Sequence, residues 1–172
     1  ATSKDVIKEA TRRFHDTWEA LKNKHRAGYE ALQKELNLTD HDMVILASVV
    51  EKEAIRDDER PLIASVFYNR LRDKWRLDTD PSLVYHPDHY QKRPSPALRR
   101  NRANPYNTYQ IRGLPPGPIS NPGRASLEAV LTPADTEYYF FVAKQDGSKG
   151  HAFTNKDLKQ HKDNIRKHLK KK

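Results

Sequence analysis

The 172-residue chain contains no cysteine, which excludes disulfide staples, thiolate-ligated zinc and a cysteine nucleophile. Chemistry must therefore rest on other groups. Long apolar runs are also missing: no stretch approaches the roughly 20 residues that cross a bilayer, and no charged-then-apolar leader precedes a small-residue cleavage site. The chain opens on Ala1-Thr2-Ser3, so we read it as a processed product or an excised segment. There is one methionine, and glycine is scarce at six, with no Gly-rich phosphate loop. Acidic residues are the minority, 23 against 32 Lys and Arg, for a formal net charge of +9. Such an excess favours a polyanionic partner such as nucleic acid, anionic lipid or an acidic cell-wall polymer. What is present is 35% hydrophobic and 32% charged, enough for a modest core in one domain or one domain plus a helical appendage.

Residues Ile7, Ala10, Phe14, Trp18, Leu21, Tyr29, Leu32 and Leu36 recur every three or four positions, with His25 in the gap. That spacing predicts one long amphipathic helix over about 3–36. Thr39 followed by Asp42 is a capping-box start for a second helix reaching about Ile55. Asp57, Asp58, Glu59 and Pro61 mark a third start, with Leu62, Ile63, Val66, Phe67 and Leu71 facing inward. Leu77 to Tyr85 reads as a loop leading into a strand, residues 86–105 as a basic, proline-bearing excursion, and Asn107 to Ile111 as a short strand ending at Gly113. The Pro/Gly-rich stretch from Gly113 to Gly123 is a defined loop, and Ser126 to Leu131 a short helix. Tyr138 to Ala143 predicts a buried strand, turned by Gly147 and Gly150 toward His151-Ala152-Phe153, and a last helix from about Asn155 carries a basic tail, Arg166 to Lys172. Helices first and strands later is the α+β order, with the helical half packed on a small, mainly antiparallel sheet. We divide the chain into an N-terminal helical segment, 1–37, and a larger unit, 38–172.

The second helix is apolar nearly all round through Met43, Val44, Ile45, Leu46, Ala47, Val49 and Val50, and then delivers Glu51 and Glu53. At about 100° per residue these two carboxyls point roughly 200° apart, so at most one lines any given site. Both sit where the negative end of the helix dipole, like burial, opposes ionisation. A carboxylic acid kept protonated near neutrality is what a general acid at a glycosidic oxygen must be. The alternative is that both are structural, paired with Lys52, Arg56 or Arg60.

Six segments in order, Ala47-Ser48-Val49-Val50-Glu51-Lys52-Glu53-Ala54, Val66 to Leu71, Thr79-Asp80-Pro81-Ser82, Tyr106 to Tyr109, Gly113 to Gly117, and Tyr139 to Ala143 with His151 and Phe153, closely resemble the catalytic domain of the endolytic murein transglycosylases, the MltG or YceG-like family. The resemblance runs from about Leu38 to Asn164. It implies non-hydrolytic cleavage between N-acetylmuramic acid and N-acetylglucosamine inside nascent peptidoglycan strands, leaving a 1,6-anhydro end. Its catalytic glutamate falls on Glu53. No metal or organic cofactor is required. The resemblance further implies work at the periplasmic or outer face of the cytoplasmic membrane beside glycan-polymerising synthases, through an anchor that this chain does not carry.

Other positions have two readings each. Ser48 and Glu51 accompany Glu53 in the motif. Asn69 and Arg70 either bind acetamido or carboxyl groups or are ordinary helix-surface residues. Asp80 either orients a sugar hydroxyl or the catalytic helix, or closes an Asx-type turn. Asn107, Thr108 and Tyr109 form either a saccharide-binding edge or cross-strand pairs. His151 either contacts substrate or supports Glu53, or is a structural donor. His86 and His89 form a tight pair, but without a His-Glu-x-x-His arrangement we assign no metal, and His161 and His168 read as solvated. Two further classes compete: a basic nucleic-acid-binding module carried by the clusters at Arg99 to Arg102 and Arg166 to Lys172, which lacks any recognised reader motif, and a scaffold whose long first helix binds a partner and whose glutamates are inert.

Overall fold

A computed structural model describes residues 2–90 and 93–169; the side chain of His89 and residues 170–172 of the basic tail lie outside the described residues. The chain folds in the order α1 (Ser3–Lys24), α2 (Arg26–Leu36), α3 (Asp40–Glu53), α4 (Arg60–Arg72), α5 (Asp80–Leu83), α6 (Pro96–Arg100), α7 (Arg124–Leu131), β1 (Phe140–Ala143), β2 (His151–Thr154) and α8 (Leu158–His168). Single 3-10 turns precede α4 and α6, at Asp57–Glu59 and Pro87–His89. The strands form one antiparallel hairpin, Phe140 opposite Thr154 and Ala143 opposite His151. This is the expected α+β class.

α3 is the central rod. Thr39 and Asp42 close a reciprocal capping box at its start, and Met43, Leu46, Ala47, Val49 and Val50 are wholly enclosed. Against it pack α4, α5 and α7. Phe67 and Tyr68 of α4 fill the space between them, and the Tyr68 hydroxyl donates to the Val130 carbonyl at 2.8 Å, so the ring is buried without orphaning its polar tip. Among the described residues no helix is long and apolar enough to cross a membrane.

The predicted single helix over 3–36 is two. The break falls at His25, whose backbone leaves the helical region (φ −115°, ψ 30°) and whose ring nitrogen Nε2 lies 2.8 Å from Glu128 of α7. The hydrophobic stripe survives the break because Trp18, Leu21 and Leu32 enter the same core as α3 and α7. Gly28 permits the approach of α2 to α7, since a Cβ there would stand 2.8 Å from the Leu131 carbonyl oxygen.

Asp40, in the first turn of α3, ties these helices down. Its carboxylate accepts from Trp18 Nε1 at 3.0 Å, Lys22 Nζ at 2.8 Å, Tyr29 Oη at 2.5 Å and Gln33 Nε2 at 3.3 Å. Burial pushes its pKa up, but the bonds from Lys22, Tyr29 and Trp18 outweigh that and hold it below the usual carboxylate range. Replacing Asp40 by Ala is expected to cost about 2 kcal/mol and lower Tm by about 4–8 °C. Hydrogen exchange should rise across α1 and α2 and not in α4. The stabilisation exists above the unfolded pKa and disappears as pH falls through the depressed folded value.

Two predicted strands are absent. Leu77 to Tyr85 holds the short helix α5, because Thr79 caps it by accepting from Ser82 N and Pro81 suits a first turn. Residues 107–111 form consecutive turns closed by Gln110 N to Asn107 O at 2.8 Å. Asn107 is the cause: its amide donates to the carbonyls of Leu98, Arg99 and Asn101, and its Oδ1 accepts from Tyr109 N, folding the chain back on α6.

Candidate active site

α3 ends at Glu53 because Ala54 turns extended (φ −84°, ψ 127°), and the chain leaves for the turn that starts α4. Glu53 therefore occupies the carbonyl end of a buried helix. Its partly buried side chain lines a cleft of about 410 Å³ with Arg70, Asp80, Tyr109, residues 140–143 of β1 and His151 of β2. Among the described residues nothing hydrogen-bonds to its carboxyl group. Burial above all, then the negative charge of Asp80, raise its pKa to about 8, with Arg70 pulling the other way.

Glu51 faces elsewhere, as the helical angle demands. One of its oxygens accepts from Gly123 N at 3.1 Å, Ser126 Oγ at 2.6 Å and Arg60 Nη1 at 3.3 Å, placing an anion at the start of α7. Ser48 is also structural: its buried hydroxyl donates to Ile45 O and accepts from Ile119 N at 2.9 Å, fastening the Pro/Gly-rich loop to α3.

The charged residues around Glu53 each have hydrogen-bond partners. Asp80 receives a double contact from Arg99, at 2.9–3.0 Å from Nη2, and a hydrogen bond from the Tyr109 hydroxyl at 2.8 Å. The Arg99 guanidinium also lies 5.0 Å over the Tyr109 ring. Arg99 is thus a cleft residue and not a free surface charge. Tyr109 is pushed above its ordinary pKa by burial and by Asp80. Buried Arg70 donates from Nε to the Tyr139 carbonyl at 2.7 Å and from Nη1 to the Leu77 carbonyl at 2.7 Å, and Asp78 stands 3.8 Å away. Asp78 itself carries a positive φ of 51° at the cleft wall.

Asn69, beside Arg70, donates to the carbonyls of Thr136 at 2.8 Å and Tyr138 at 3.0 Å, so the pair fastens the segment entering β1 to α4. Thr108 is wholly buried, accepting from Thr79 N at 2.9 Å and meeting Ser82 Oγ at 2.9 Å. It fixes α5, and through α5 Asp80. Of the three residues read as a saccharide edge, only Tyr109 reaches the cleft, because Asn107 and Thr108 turn inward to hold the loops that carry it.

His151 lines the cleft on one side and pairs with Glu59 on the other, Nδ1 to Oε2 at 2.7 Å, while its backbone N–H donates to Oε1 at 2.9 Å. Glu59, by its sequence position a helix-start acid, is buried. Gly150 makes room for it, since a Cβ there would lie 2.9 Å from Glu59 Oε1. A second surprise is His161, read as solvated: with Ile165 and Leu169 it lines the cleft. Their spacing of four, one face of a helix, is the signal that could have found them.

A YceG-like family model matches residues 1–167, which takes in the N-terminal helices as well as the motifs from Leu38 onward. The chain belongs to the YceG-like family. Relatives include the "Endolytic murein transglycosylase" of Bacillus subtilis strain 168, 40% identical over 141 residues, which cover 81% of this chain and 38% of the relative. The protein of the same name from Streptococcus pneumoniae serotype 2 is 31% identical over 169 residues, covering 95% of this chain and 30% of its own length. A crystal structure of a YceG-like protein from Listeria monocytogenes superposes with a TM-score of 0.68 at 37% identity, covering 80% of this chain and 44% of that one. The chain thus spans less than half the length of these YceG-like relatives.

Proposed function

We propose that the chain is the catalytic part of an endolytic lytic transglycosylase that cuts peptidoglycan glycan strands at the cell envelope. The observation that carries the reading is Glu53: a carboxyl group with a pKa near 8, open to a cleft and without a hydrogen-bond partner among the described residues. The names of the curated relatives support the substrate.

The proposed reaction needs one acid. Protonated Glu53 donates to the oxygen leaving C1 of N-acetylmuramic acid, and the C1–O bond breaks. The sugar's own 6-hydroxyl attacks C1, and its proton passes to the Glu53 carboxylate, which restores the starting state. One C–O bond breaks and one forms, no water is consumed, and the product ends in a 1,6-anhydro ring. A hydrolase instead places a second carboxylate to hold water or to form a covalent intermediate. Here the nearby Asp80 is already engaged by Arg99 and Tyr109, and its charge serves to keep Glu53 protonated. Intramolecular attack also lowers the entropic part of the barrier by several kcal/mol.

Mass spectrometry of products released from purified sacculi tests this. Anhydro-terminated fragments, lighter by one water than reducing ends, are expected. Reducing ends alone would replace the lyase with a hydrolase, and release of nothing by the active full-length protein would remove both.

A further inference from the structure

The chemistry above leaves one wall of the cleft without a task. α8 packs against both strands and presents His161, Ile165 and Leu169 to the space that Glu53 faces. The His161 ring stacks on Phe140, centroids 4.5 Å apart and planes 19° from parallel. Its Nδ1 is enclosed and has no hydrogen-bond partner among the described residues. An orphaned buried N–H is rarer and costlier than an orphaned lone pair, so the ring proton belongs on Nε2, at the opposite edge. Burial, and secondarily Arg70, hold the ring's pKa below its ordinary value, which keeps it neutral at neutral pH. Beside this single neutral donor two large apolar side chains stay open, Ile165 at 37% and Leu169 at 40% exposure.

An N-acetyl group offers the matching features: a carbonyl oxygen that accepts one hydrogen bond, and a methyl group a bond away that prefers apolar contact. The geometry points to α8 as an acetamido-reading wall, in which His161 donates from Nε2 to the carbonyl oxygen of a substrate N-acetyl group whose methyl packs on Ile165 and Leu169. The assignment rests on the proposed glycan substrate and adds a specificity-determining contact to it. His161 carries no proton in the reaction.

The test compares binding of denuded glycan strands, fully N-acetylated against chemically de-N-acetylated, to the full chain carrying Glu53→Gln so that nothing is cleaved. Adding His161→Phe keeps the stack on Phe140 and deletes the donor. The preference for N-acetylated strands is expected to shrink by about 5- to 10-fold. The pull of the new amine charges on the rest of the cleft is common to both proteins and cancels in the ratio. His161→Gln, whose amide nitrogen falls near the place of Nε2, should retain most of the preference. A preference unchanged within twofold in His161→Phe, or lost equally in His161→Gln, overturns the acetamido contact while leaving the lyase reading intact. Reducing ends in the product assay overturn the lyase reading while leaving this contact intact, and binding of neither strand overturns both.

Discussion

Glu53→Gln is expected to lower release of anhydro ends by about 10³-fold, the scale of a lost general acid, in a chain that stays folded and still binds glycan. The amide fills the same volume and cannot donate the proton. Wild-type kcat/KM should show a basic limb near pH 8, because the active form is the protonated one and it is depleted as pH rises through that value. Stability should follow the same group. Its folded pKa is raised from 4.5 to about 8, so the contribution is fully present below 4.5 and is lost as pH climbs through 8. Thermal unfolding followed across pH 4–9 should therefore show a decline in the wild type, on the order of a few kcal/mol, that the variant lacks. An active Glu53→Gln protein, or identical pH profiles for the two, would remove Glu53 from the mechanism.

The largest structural loss is expected at Glu59. Its side chain is 11% and that of His151 5% exposed, and both oxygens of Glu59 hold His151, one at the backbone and one at the ring. Glu59→Ala leaves two buried donors without acceptors and opens a void beneath the start of β2. A cost of about 3–5 kcal/mol follows, or a Tm lower by roughly 6–20 °C in a chain of this size. Glu59→Gln keeps one acceptor and should recover part of it. Because His151 lines the cleft, activity measured well below the lowered Tm should also fall, through misplacement of β2 against Glu53. A Glu59→Ala protein melting within 2 °C of wild type would show that the pair is held by other contacts.

Local signals carried much of the fold. The Thr39–Asp42 box, the all-round apolar α3, the Pro61 start of α4 and the aromatic run of β1 each follow from interactions within a few residues, and each was legible. The failures come from tertiary partners, except at Asn107, where a side chain folds back on nearby backbone. The helix breaks at His25, within a continuous stripe, where Glu128 waits beside it, 103 positions away. Asn107 prevents a strand because three carbonyls of residues 98–101 converge on its amide. His161 belongs to the cleft because β1 lies under α8, and Glu59 is buried because β2 arrives on top of it. A window of ten residues reaches the carbonyls around Asn107 but holds neither the partner of His25, 103 positions away, nor that of Glu59, 92 positions away.

The sequence by itself determined that a rigid apolar helix ends in two carboxyl groups pointing opposite ways, since a fixed angle per residue allows nothing else. Only the tertiary structure decided which of them is open to a cleft. It closed Glu51 against the start of α7 and left Glu53 open between α5, the hairpin and α8. A pKa near 8 at Glu53 comes from lost hydration and from charges at positions 70 and 80, and such effects fall off with distance in space, whatever the separation along the chain.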